Sequence, residues 1–263
     1  MRAACLLYHD VIDGVGWESS GFTGPGTTKY KLSRTEFEAH LAAIATVRDT
    51  PPATATELVN DKNEIFPFLL TFDDGGESGA TCIAALLEKY GWRGHFFVTG
   101  GQISKKGFLN AEQIRWLRKN GHVIGSHSFS HPTRISHCSR EQLTEEWSRS
   151  VKMLSDILGE QVDSASVPGG YYSERVGETA AAAGIRVLFN SEPTTQIKSV
   201  RGCLIVGRYN VFRGMTPGLS GDLVSSHPEA RIRQWLYWNI KKIAKSVAGR
   251  HYLAARQVLL RKG

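Results

Sequence analysis

Two carboxylates and two imidazoles stand out by type and spacing. Residues 66–79 read FPFLLTFDDGGESG, an apolar run ended by Asp73, Asp74 and two glycines. Carboxylates are rarely buried unless paired, so two of them at the mouth of an apolar strand mark either a turn or a reaction centre. Residues 121–131 read GHVIGSHSFSH and place His127 and His131 four positions apart after a second apolar run. On a helical turn that spacing puts both imidazoles on one face. An aspartate from a neighbouring strand end would complete a three-ligand set with one open position, the pattern of catalytic zinc. Successive strand residues face opposite sides, so one aspartate of the pair could ligate while the other stays free as a base.

Such a site needs a frame that brings strand ends together. Strand-like runs fall at Ala3–His9, Phe66–Phe72, His95–Thr99, Val123–Ser126, Ala165–Pro168, Val187–Asn190 and Leu204–Gly207. Helical periodicity falls between them. Phe37, Leu41 and Ile44 share a face in Thr35–Val47, Ile83, Leu86, Leu87 and Tyr90 in Ala80–Tyr90, and Leu143, Trp147, Val151, Leu154 and Leu158 in Arg140–Leu158. Asn110 and Ser139 stand where N-caps belong, and Gly91, Gly121 and Gly184 where helices should stop. This alternation predicts a parallel sheet with crossover helices, closed or nearly closed into a β/α barrel with its site at the strands' C-terminal ends. Val11–Lys31 and Asp49–Glu64 read as long loops. His95 reads as a strand residue, and His122 and His137 as loop histidines.

Composition narrows the class. Hydrophobic residues make up 41% and charged residues 22%, an ordinary globular balance. Cys5, Cys82, Cys138 and Cys203 are scattered, which argues against a disulfide framework and suits a reducing compartment. No apolar run is long enough for a membrane span or a signal peptide. A net charge of +7 favours an anionic partner. Nine of the basic residues lie between Arg231 and Lys262, with no acidic residue and with Trp235, Tyr237, Trp238 and Tyr252 among them. That stretch predicts two helices broken at Gly249, either packed on the barrel or facing an anionic membrane.

Taken in order, LTFDDGG, GSHSFSHP and VPGGYYS resemble the polysaccharide deacetylase (NodB-homology) family, the family-4 carbohydrate esterases. The likeness spans about residues 3–210. It implies an α/β fold, a distorted (β/α)7 barrel, here over 1–225, followed by a basic helical extension over 226–263. It also implies removal of acetyl groups from sugars with a divalent metal, zinc first, with nickel or cobalt as alternatives. Carried over by position, Asp73 would be the general base, and Asp74, His127 and His131 would hold the metal. Gly169, Gly170 and Tyr171 would meet the substrate, with a backbone N–H of that turn completing an oxyanion hole.

Two departures stand out. The family's third motif begins with an arginine that braces the base, and Ser166 stands there instead. The usual C-terminal acid histidine is also missing, since SSHP around His227 matches it poorly. LLYHD offers a substitute: in a permuted subgroup resembling the exopolysaccharide deacetylases, a tyrosine-histidine pair ending the first strand supplies the acid, which would be His9. Glu192, in NSEPTT, could brace it, Tyr171 and Tyr172 could stack on a sugar, and Trp17, Phe22 and Tyr30 could rim the groove. The expected substrate is an acetamido-sugar glycan, lipid- or nucleotide-linked, met in the cytoplasm or at the inner membrane face. Nucleic acid is not expected. The same site could instead cleave another C–N bond, or the barrel could be a degenerate glycan-binding module.

Overall fold

The computed structural model describes residues 1–14, 16–60 and 66–240. Its strands are β1 (Ala4–Tyr8), β2 (Val11–Ile12), β3 (Leu32–Ser33), β4 (Phe68–Phe72), β5 (His95–Val98), β6 (Val123–Ser126), β7 (Ser164–Ser166), β8 (Val187–Phe189), β9 (Lys198–Val200), β10 (Cys203–Val206) and β11 (Tyr209–Asn210). Nine of them form one sheet in the order β11-β1-β4-β5-β6-β7-β8-β10-β9, and β2 pairs with β3 apart from it. Within the large sheet only β9 runs antiparallel to its neighbour. The seven runs read from the sequence are β1, β4, β5, β6, β7, β8 and β10. They make the curled, mostly parallel sheet expected of a distorted (β/α)7 barrel. The curl stops short of closure: β11 and β9 are its two edges.

Both faces of the sheet are covered, which is why its strands are apolar throughout rather than alternating. Leu6, Tyr8, Leu70, Phe72, Phe96 and Val98 pack outward in one core cluster with Phe37, Leu41 and Ile44 of the helix Arg34–Ala45. Cys5, Leu69, Phe97, Val187, Phe189 and Val206 pack inside the barrel. A third cluster joins Leu143, Trp147 and Val151 of the helix Arg140–Leu158 to Val176, Leu188 and Ile205. Each fully buried side chain of this size contributes roughly 1.5–3 kcal/mol. The sequence signals at helix ends hold: Asn110 and Ser139 form capping boxes with Gln113 and Gln142. Gly91, Gly121 and Gly184 adopt the left-handed backbone that ends a helix.

Two expectations need correction. The stretch read as a loop over Asp49–Glu64 contains a helix, Ala55–Val59, capped by Thr54 and Glu57. It plugs the barrel floor, with Ala55 and Leu58 in the interior cluster. The loop Val11–Lys31 likewise holds β2 and a short helix, Pro25–Thr28. His122 lies in the loop before β6, as the sequence suggests, but it is wholly buried there, and its Nδ1 accepts the Gly94 N–H at 3.2 Å. The basic C-terminal stretch is helical over residues 229–240, while Gly249 and the second helix fall outside the described residues. No helix among the described residues is long and apolar enough to cross a membrane.

His95 is structural. Its Nδ1 donates to the Leu70 carbonyl at 3.1 Å and its Nε2 accepts the Ala55 N–H at 2.9 Å. Both nitrogens are therefore committed to the neutral ring, and burial lowers its pKa from 6.5 to about 4. A depressed histidine contributes stability that is complete above the unfolded pKa and is lost as pH falls toward the folded one. Urea unfolding should accordingly show stability falling between pH 6.5 and 4, by on the order of 3 kcal/mol for this group. His95→Gln should remove that part of the slope, and an unchanged slope in the variant contradicts the assignment.

Candidate active site

Asp73 extends the inward set of β4. Leu69 faces the barrel interior, Thr71 follows at period two, and Asp73 follows again. Its N–H still continues the sheet, donating to the Tyr8 carbonyl at 3.1 Å. At Asp74 the strand ends, because its φ is +76°. That left-handed step swings the second carboxylate back toward the first instead of to the opposite side. The two carboxylates consequently flank one imidazole: His127 Nε2 lies 3.4 Å from Asp74 Oδ1 and 4.0 Å from Asp73 Oδ2.

His127 and His131 converge, but by a different route from a helical turn. The segment after β6 is a loop with positive φ at Ser128 (61°) and His131 (57°). Left-handed backbone costs a β-substituted residue about 1–3 kcal/mol and persists only where neighbours enforce it. Here Ser128 Oγ accepts the His131 N–H at 3.1 Å, and Gly100 N–H donates to the Ser128 carbonyl at 3.1 Å. Glu146 then takes the Phe129 and Ser130 N–H groups at 3.0 and 2.8 Å.

Asp74, His127 and His131 present one carboxylate oxygen and two imidazole nitrogens within 4.8 Å of one another. His127 Nδ1 contacts Ser166 Oγ at 2.5 Å, which leaves Nε2 for the shared space. His131 Nε2 is 3.6 Å from Asp74 Oδ1, and burial, reinforced by His127, lowers the pKa of His131 toward the neutral ring that a ligand needs. Burial works against ionised Asp74, yet the three histidines around it, His127 foremost, hold its carboxyl well below the usual range. An anionic oxygen and two neutral nitrogens converging on one point suit a divalent cation that takes mixed N/O ligands.

The brace that the sequence lacked at Ser166 comes from elsewhere. Arg208, wholly buried, grips both oxygens of Asp73 at 2.7 and 2.8 Å. Its Nε donates to the Asn190 carbonyl at 2.9 Å and one terminal nitrogen to Thr71 Oγ1 at 3.2 Å. Arg208 lies between β10, which pairs with β8, and β11, which pairs with β1, so the chain crosses the open seam of the barrel there. Gly207 allows the crossing: a Cβ would stand 2.3 Å from the Glu192 carbonyl. Burial opposes ionisation of Asp73, but the Arg208 guanidinium and His127 hold its carboxyl below the usual range. Sequence reading missed Arg208, although an arginine two residues past a barrel strand end is where functional groups gather.

These groups open into a cavity of about 780 Å³ that also takes in His9, Gly169, Gly170, Tyr171, Tyr172 and Glu192. The His9 ring leans on Tyr30 at 4.7 Å, and Tyr30 on Phe212 at 5.4 Å. His9 Nδ1 is buried without a hydrogen-bond partner among the described residues. Glu192 lines the cavity, but the bond found there is from its own N–H to Asn190 Oδ1, not a brace on His9. Tyr171 N–H has only a 3.5 Å contact, to the Pro168 carbonyl, and so remains able to donate to a ligand. Phe22 packs on His131 at 4.9 Å, and Trp17 lies under the Arg213 guanidinium outside the cavity wall. His137 and His227 are exposed and stand apart from the site.

The family model for polysaccharide deacetylase matches residues 38–188, more than half of the chain. The chain belongs to the polysaccharide deacetylase family. Its class is that of the carbohydrate deacetylases, hydrolases of the amide bond in acetylated sugars. It is 25% identical over 229 residues to YxkH of Bacillus subtilis (strain 168), a candidate polysaccharide deacetylase by name, covering 86% of this chain and 75% of that protein. It is 32% identical over 123 residues to the peptidoglycan-N-acetylmuramic acid deacetylase PdaA of the same strain, covering 46% of this chain and 44% of PdaA. The fold superposes on IcaB from Ammonifex degensii with a TM-score of 0.69 at 22% identity, over 85% of this chain and 97% of IcaB. Streptococcus pyogenes deacetylase PplD, in complex with acetate, gives 0.68 at 19%, over 82% and 95%.

Removing one partner of a buried pair leaves an uncompensated charge. Arg208→Ala should therefore lower stability by about 3–5 kcal/mol in urea unfolding. Arg208→Lys keeps the charge but loses the two-pronged grip, and should lose less. A loss below about 1 kcal/mol for the alanine variant, the scale of an exposed pair, contradicts the buried bridge.

Proposed function

We propose that the chain hydrolyses the N-acetyl group of an acetamido sugar in a bacterial cell-surface glycan or its lipid- or nucleotide-linked precursor. The barrel over 1–225 would carry the chemistry, with the extension over 226–263 as a separate basic segment that packs on the barrel or faces a membrane. The observation that supports this reading is a carboxylate kept ionised by Arg208 beside a separate trio of potential metal ligands. A structural metal would need the trio alone. A reaction that activates water needs the free base next to it as well.

Asp74, His127 and His131 would hold the divalent cation, zinc in the first instance, since its coordination suits one carboxylate and two imidazoles. When bound, that cation would supply Lewis acidity to the attacking water and the acetyl oxygen. Asp73 would take the water's proton on a carboxylate oxygen. Each oxygen retains a lone pair beyond its bond to Arg208. The guanidinium also prevents the carboxylate from rotating, so its free lone pairs stay aimed. The Ser166 carbonyl, 3.2 Å from His127 Nδ1, would hold that nitrogen protonated and leave Nε2 for the cation. The Tyr171 N–H would donate to the developing oxyanion, and the Gly169–Gly170 backbone lets a ligand approach it closely. His9 would hand a proton to the departing amine. Tyr30, Tyr171, Tyr172 and Phe212 offer flat apolar faces for a sugar ring and help to exclude bulk water.

The test is acetate release from an N-acetylated saccharide by the metal-loaded chain. Asp73→Asn should lower turnover by about 10²–10⁴-fold, and a chelator should abolish it until zinc is restored. Turnover untouched by complete metal removal, or near-normal turnover in Asp73→Asn, contradicts the proposal. Near-normal turnover in His9→Ala would remove His9 as the acid while leaving the rest standing.

A further inference from the structure

The helix over residues 229–240 has two unlike faces. One face is bound to the barrel. Arg231, buried, donates to the carbonyls of Leu223 and Ser225 at 3.0 and 2.6 Å, and Gln234 Nε2 donates to the Asn210 carbonyl at 3.0 Å. Gln234, Tyr237 and Trp238 from this face help to line the cavity. At 100° per residue the opposite arc carries Ile232, Trp235, Leu236 and Ile240. All four are large, apolar and open to solvent: 51%, 47%, 47% and 64% exposed. Tyr237 belongs to both sides, lining the cavity while 56% exposed, so the helix borders the cavity's mouth rather than its floor.

A ridge of this kind is unusual on a soluble surface and marks a docking face. What it fits can be read from the charge of the sequence that carries it. From Arg231 onward the sequence has nine Lys or Arg and no Asp or Glu. The helix's acidic residue, Glu229, sits in its first turn, where the helix dipole favours a negative charge. Exposed aliphatic and Trp side chains in a stretch whose sequence is basic and without acids from Arg231 onward match the interfacial zone of a bilayer with anionic headgroups. A protein partner of the same area would need acidic residues to meet that charge, and a second copy of this chain would bring nine more cations.

We propose that the 229–240 helix is a lipid-docking element that seats the cavity mouth on an anionic bilayer surface, so that a membrane-anchored glycan enters the site from the bilayer side. The surface itself does not depend on the deacetylase reading. Only the identity of the anchored substrate rests on it.

Flotation of the full chain with vesicles separates the two. Wild type should bind vesicles of phosphatidylcholine mixed with phosphatidylglycerol, and bind phosphatidylcholine alone far less. Trp235→Ser with Leu236→Ser should reduce that binding at least about tenfold, with melting temperature and acetate release from a soluble saccharide unchanged. Ile232→Ser with Ile240→Ser provides a second route should the first pair fail to fold. Asp73→Asn should bind vesicles like wild type, so a failed acetate assay with normal flotation would sink the deacetylase reading alone. Failure of wild type to bind, equal binding to phosphatidylcholine alone, or unchanged binding by the ridge variants would overturn the proposal. A ridge variant that instead turns a dimer into a monomer would overturn it in favour of a second copy as the partner.

Discussion

The buried bridge between Arg208 and Asp73 is the constraint around which the site is arranged. An isolated carboxylate inside a barrel would be neutralised by desolvation. Asp73 escapes this because a guanidinium, itself wholly buried, meets both of its oxygens and gives two further donors to Thr71 and the Asn190 carbonyl. The fold has to permit that. A closed barrel would have a strand in the seam between β10 and β11. The open seam lets the chain cross there and drop an arginine into the interior, over a glycine that leaves no room for a Cβ.

Around that bridge the backbone itself is strained. Five non-glycine residues among those described have a positive φ, and three of them are Asp74, Ser128 and His131. Two of the three are in the candidate ligand set, and the third holds the loop between the histidines. Ordinary strand geometry would have sent Asp74 to the other face, and the imidazoles meet through a left-handed loop where a helical turn would have stacked them on one face. Bonds from Thr99, Gly100 and Glu146 tie these segments to neighbouring elements, so the favourable packing of a large barrel offsets the local cost.

The legible parts of the sequence were the local ones. TFDDG and HSFSH each carry their residues within a few positions of one another, so type and spacing brought Asp73, Asp74, His127 and His131 to notice. The reasoning about how they converge was wrong in detail, because left-handed residues other than glycine leave little sequence trace. Arg208 was invisible for a different reason: its partner lies 135 residues away, and register across a seam cannot be read from periodicity. The helix Ala55–Val59 did leave a signal, the Thr54 and Glu57 capping pair, but five residues are too few for a hydrophobic period to emerge. Gln234, Tyr237 and Trp238 in the cavity wall were equally beyond reach, since the basic residues around them describe a surface and not what lies beneath it.

The division of labour between the two aspartates is the central claim, and locating the metal tests it most directly. Crystals grown with zinc, measured on either side of its absorption edge, should show one anomalous peak bonded to Asp74, His127 Nε2 and His131 Nε2. Asp73 should remain paired with Arg208 and off the metal. A peak elsewhere, or one that draws Asp73 away from Arg208 as a ligand, would contradict the account.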